Sequence, residues 1–134
     1  MNFLVIKPTE TEPICRVIFC EDTPDASYNL LQRAVGGFFD LITGYFKDLP
    51  AGVDAWCNDE CLINGLDPIL VFHGRKDFSG LIAGNIVFTA TDEYGETIGL
   101  TDDQISMIQE MLDAMPKLLI CRNDTIFRTY LSII

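Results

Sequence analysis

Histidine is nearly missing from this sequence: His73 is the single one in 134 residues. A Cys-His or Ser-His pair would have to recruit it, and it stands beside a glycine in Phe72-His73-Gly74-Arg75, a setting that suits a loop better than a general base. Also absent are a Walker-type phosphate loop, a dinucleotide-binding glycine fingerprint and a nucleophile elbow. No catalytic residue is assigned, and the chain reads as a binding protein rather than an enzyme. Long apolar runs are lacking too, since a run such as Ile69-Leu70-Val71-Phe72 is far short of the ~20 residues of a membrane span. The opening Met1-Asn2-Phe3-Leu4-Val5-Ile6-Lys7 has neither the basic start nor the apolar length of an export signal. A cytoplasmic protein without membrane contact is the expectation.

Basic residues are scarce, with 9 Lys and Arg against 20 Asp and Glu, for a formal net charge of −11. The segment from Asp77 to Pro116 contains Asp77, Asp92, Glu93, Glu96, Asp102, Asp103, Glu110 and Asp113 and no Lys or Arg. Beyond it the sign reverses, with Lys117, Arg122 and Arg128 against Asp124 alone. Direct nucleic-acid binding is not expected, because phosphate contacts draw on Lys and Arg. The acidic segment serves either as an ordinary solubilising surface or as an imitation of nucleic acid that occupies a basic cleft.

Five cysteines (Cys15, Cys20, Cys57, Cys61, Cys121) are an odd number in a chain with no export signal, and they read as reduced thiols. A metal site would have to start from Cys57-x-x-x-Cys61. With one histidine and no second tight cysteine pair, four zinc ligands cannot be assembled, and neither a metal nor another cofactor is expected.

What is present is a core. Apolar residues make up 49% of a chain long enough for one domain, taken as residues 1–134. Residues 2–7 and 13–20 predict strands. Thr23-Pro24 offers a helix cap and a first-turn proline and Gly36 a stop, so an amphipathic helix is predicted over about 24–35. Further strands are predicted at Phe38–Tyr45, Val53–Cys57, Cys61–Ile63, Ile69–Phe72 and Leu81–Thr91, the last forming a hairpin with Glu96–Leu100 across Tyr94-Gly95. Thr101-Asp102-Asp103-Gln104 is a capping box that opens a second amphipathic helix, 102–115. The tail Leu118–Ile134 predicts a strand pair around Asn123-Asp124, docked on the sheet or against another subunit. The fold class is therefore α+β with a largely antiparallel sheet, two amphipathic helices and a C-terminal strand pair.

Two segments carry candidate ligand-binding residues. His73-Gly74-Arg75-Lys76-Asp77-Phe78 concentrates cations, an aromatic and a glycine, so Arg75 can pair with a phosphate while Phe78 stacks on a base. Arg122, Asn123 and Arg128 form the second group, able to reach an anionic ligand across a subunit interface. For each arginine the alternative is an ion pair with a neighbouring acid.

One order of short motifs runs through the chain: Phe3–Pro8, Val35-Gly36-Gly37-Phe38, Asn58-Asp59-Glu60, Gly65-Leu66-Asp67-Pro68, Ile82–Phe88 and Leu100-Thr101-Asp102. Over residues 3–113 it resembles the domain of unknown function 3846 family, small proteins of phages, mobile elements and gut bacteria. Relatives often continue Gly-Leu-Pro with Asn-Arg; here Asp67-Pro68-Ile69-Leu70 follows Leu66, so an arginine that can serve a ligand in relatives is missing. The tail beyond Pro116 is longer than in many members. The resemblance implies an accessory or counter-defence role in a bacterial host cell. A further similarity, to phage anti-Thoeris nucleotide sponges, implies an oligomer that sequesters a cyclic ADP-ribose-type signal or a cyclic oligonucleotide. The alternative is an acidic DNA mimic of the antirestriction type that inhibits a host protein.

Overall fold

The computed structural model describes residues 1–23 and 25–134. The N-terminal hairpin forms as its Val, Ile, Phe and Cys content dictates: β1 (Asn2–Lys7) pairs antiparallel with β2 (Ile14–Phe19). Helix α1 (Ala26–Val35) follows and ends at Gly36, whose φ of 80° closes the last turn by donating its N–H to the Gln32 carbonyl. Its N-cap is Asp25, with no side-chain cap bond, where Thr23 was predicted; Pro24 lies outside the described residues.

Next come β3 (Phe39–Leu41), a short 3-10 helix (Thr43–Tyr45), β4 (Val53–Asn58), β5 (Pro68–His73), β6 (Ser79–Ala83), β7 (Ile86–Thr91) and β8 (Thr97–Ile98). Helix α2 (Asp102–Ala114) starts at the predicted capping box: Thr101 accepts from the Gln104 N–H, and Gln104 accepts from the Thr101 N–H. It ends before Pro116, where the Lys117 ammonium takes the orphan carbonyls of Leu112 and Met115 at 3.2 and 3.1 Å. Strands β9 (Lys117–Arg122) and β10 (Thr125–Ile133) complete the chain as a hairpin with left-handed Asn123 and Asp124 at its turn.

The strands make two sheets, β2-β1-β7-β4-β3 with β8 beside β7, and β6-β5-β10-β9. Pairing is antiparallel throughout except between β5 and β10. Strand β10 therefore pairs with β5 of its own chain, the first of the two alternatives that the tail leaves open. Alternation sorts the first sheet into two faces. Phe3, Val5 and Val87 pack under Leu31 and Val35 of α1, while Leu4, Ile6 and Phe88 meet Leu70, Phe72 and Tyr130 of the second sheet and Ile108 and Leu112 of α2. Each such fully buried side chain contributes about 1.5–3 kcal/mol.

Three predicted strands differ. Leu81–Thr91 is not one strand but β6 and β7, which belong to different sheets. Gly84 makes the corner at φ 81° and donates its N–H to the Asp67 carbonyl at 2.7 Å, in a position where a Cβ would lie 2.7 Å from Leu66 Cδ1. Cys61–Ile63 is a run of turns, because Asn58 Oδ1 captures the Glu60 N–H at 2.8 Å and bends the chain. Phe38–Tyr45 holds its strand only to Leu41. Thr43 Oγ1 then accepts the Ala55 N–H at 3.1 Å, taking the place of a backbone partner.

Candidate ligand-binding site

The arginines singled out from the sequence do not converge. Arg75 sits in the β5–β6 turn, exposed, with left-handed Lys76 and Asp77 beside it. Phe78 is half-exposed, and its ring centroid lies 5.3 Å from Phe72 and 5.8 Å from Tyr45 in tilted contacts. Asn123 shapes the β9–β10 turn. Arg122 lies opposite Thr125 at the start of β10, whereas Arg75 lies just beyond His73, which pairs with Ile133 at its end. At about 3.3 Å per residue these cations are roughly 25 Å apart.

Two of the arginines are also occupied. The Arg122 guanidinium donates to the Leu66 carbonyl and clips the turn before β5 onto the hairpin. Arg128 pairs with Glu12 at 2.5 Å on the surface, which is the ion-pair reading of that residue.

Cations that the sequence reading passed over do meet. Lys7 ends β1, Arg33 sits in the last turn of α1, and both line an open depression of about 470 Å³ with Gly36, Gly84 and Asn85. The same Lys7, Arg33 and Asn85 line a contiguous recess of about 260 Å³ over Val5 and Leu30. Arg33 and Leu30 also border a third hollow of about 460 Å³ that ends at Phe19, whose ring is 70% exposed. The result is a groove along one flank of α1 with two cations along it. Arg16 stands opposite Val5 and so shares this side of the sheet.

Neither Lys7 nor Arg33 has an ion pair or a side-chain hydrogen bond among the described residues. The groove passes the C-terminus of α1, whose carbonyls would repel an anion. Two of them are covered: Asn85 donates to the Ala34 carbonyl at 2.8 Å and Asn58 to that of Val35 at 3.0 Å. Burial pushes the Cys20 thiol up, while the N-terminal ammonium and Arg33 pull it down, which places the Arg33 charge close to that end of the groove. Glu21 and Asp67 are the acids on its rim.

The family model for the domain of unknown function DUF3846 matches residues 1–113. The chain belongs to the DUF3846 family. Comparison with curated proteins and with solved structures returns no match. In this DUF3846 protein the matched residues carry the whole first sheet, both groove cations and nearly all of α2, while β9 and β10 lie beyond the match. No helix is long and apolar enough to cross a membrane among the described residues.

Proposed function

We propose that this protein is a non-enzymatic phage or mobile-element accessory protein that binds and sequesters a nucleotide-derived immune signal of the cyclic ADP-ribose or cyclic oligonucleotide type. The observation that carries the reading is the α1 groove, where Lys7 and Arg33 stand without partners among the described residues in a protein of net charge −11. Cations left unpaired among so many carboxylates favour an anionic ligand. The groove replaces Arg75, Phe78, Arg122, Asn123 and Arg128 as the place where the ligand is held. A dimer or higher oligomer belongs to the proposal, since edge strand β2 leaves Ile14 exposed on the groove side and Val17 and Phe19 exposed on its opposite face.

Calorimetric titration with cyclic ADP-ribose isomers and cyclic dinucleotides tests this. Loss of one charge-assisted contact is about 1.5–3 kcal/mol, so Arg33→Ala is expected to weaken binding about 10- to 100-fold and Lys7→Ala by a similar factor. Binding that survives both substitutions overturns the assignment. A protein bare against the whole panel, with a salt-sensitive macromolecular partner lost when Asp102, Asp103 and Glu110 are neutralised, supports the DNA mimic instead.

A further inference from the structure

The second recess of interest is a cleft of about 410 Å³ between the edges of the two sheets. Its walls come from β3 and β4 on one side, β5 and β6 on the other, and the turn after β4. Among the described residues no Lys or Arg lines it, while Asp40, Asp59 and Glu60 do. A phosphate or carboxylate ligand is therefore disfavoured where it would have to enter past these acids.

The interior has a different chemistry from the rim. Tyr45 and Phe72 stack there with centroids 4.3 Å apart and planes inclined by 5°. Gly80 makes room for that stack: a Cβ at this position would lie 2.6 Å from Phe72 Cζ. Cys57 and Cys61 are 4% and 8% exposed, both line the cleft, and neither thiol has a hydrogen-bond partner among the described residues. Acids at the mouth, aromatic rings on the wall and two unpartnered buried thiols form a built recess, distinct from an ordinary acidic surface.

We propose that this cleft binds a small organic cation, an amine with a ring-sized apolar body. Its ammonium meets Asp40, Asp59 and Glu60, and its apolar part lies against Tyr45 and Phe72 above the thiols. The site has the opposite charge preference to the α1 groove, so either can fail without the other.

Benzylamine is the probe, with benzyl alcohol and benzoate as neutral and anionic counterparts, each titrated by calorimetry. Location is read from alkylation of individual cysteines by mass spectrometry, with exposed Cys15 and Cys121 as internal references. Burial, with Cys61 and nearby acids adding to it, pushes Cys57 up to about 12, so alkylation is followed over hours at pH 8.5. Benzylamine is expected to bind more tightly than either counterpart and to slow labelling at Cys57 and Cys61 only. The Asp59→Asn, Glu60→Gln double variant removes two side chains that make no hydrogen bond among the described residues, so folding is expected to be retained. Its benzylamine affinity is expected to fall about tenfold, the combined effect of two screened charges. Equal binding of the three probes, an affinity unmoved by the double variant, or protection of Cys15 and Cys121 as well would overturn the proposal.

Discussion

Replacing Arg122 by alanine separates a structural arginine from a ligand-binding one. The side chain reaches across 56 positions of sequence to the part-buried Leu66 carbonyl, and a Cβ on Gly65 would meet its Nη2 at 3.4 Å. Removing it leaves that carbonyl without its charged donor, a loss of about 1.5–3 kcal/mol. A chain of this size loses roughly 4 °C of Tm per kcal/mol, so a shift of about 8 °C is expected. Urea unfolding should show a lower midpoint with an unchanged slope, the signature of lost stability without a change in the denatured state. Arg122→Lys, which keeps one donor on a shorter reach, should fall between the two. Nucleotide binding in the groove should persist in the folded variant. An unmoved midpoint together with lost binding would refute the reasoning and return Arg122 to the ligand.

Gly80→Ala drives a methyl group into the Phe72 ring, and about 1–3 kcal/mol of destabilisation with a changed near-UV spectrum is expected from overpacking. Thr101→Ala removes the acceptor for the Gln104 N–H at the start of α2; urea unfolding should report a loss of about 1 kcal/mol. Burial holds Cys57 and Tyr130 in their protonated forms, each up to about 12 from ordinary values of 9.0 and 10.0. Because the folded values are raised, their contribution is intact below pH 9 and is lost as pH climbs from 9 towards about 12. Unfolding midpoints measured from pH 7 to 11 should therefore stay flat and then fall, and a flat profile throughout would contradict the burial of both groups.

Local chemistry was legible wherever one segment settles its own backbone. The Thr101–Gln104 capping box, the Gly36 stop and the two-residue Asn123-Asp124 turn each satisfy groups within a few positions, and each stands where the sequence places it. Leu81–Thr91 failed because Gly84-Asn85, a turn signal inside the run, was read through; that the chain changes sheets there depends on Gly84 meeting Asp67 and Leu66 from another part of the chain. The Cys61–Ile63 strand failed because Asn58 competes for the backbone, and Asn-Asp-Glu reads equally well as a hairpin turn. The proposed groove was illegible because it too depends on parts of the chain far apart in sequence. Lys7 and Arg33 come from a strand end and a helix face brought together by packing, whereas Arg122 and Arg128 are near in sequence but spent on Leu66 and Glu12.

Native mass spectrometry of the protein purified from cells, then mixed with cyclic ADP-ribose isomers and cyclic oligonucleotides, bears most directly on the groove. Wild-type protein should retain a ligand mass on an oligomer, and the Lys7→Ala, Arg33→Ala double variant should fly at the same oligomeric state without it. A ligand held equally by the double variant, or wild-type protein bare against every compound, would contradict the assignment of the α1 groove to a nucleotide-derived anion.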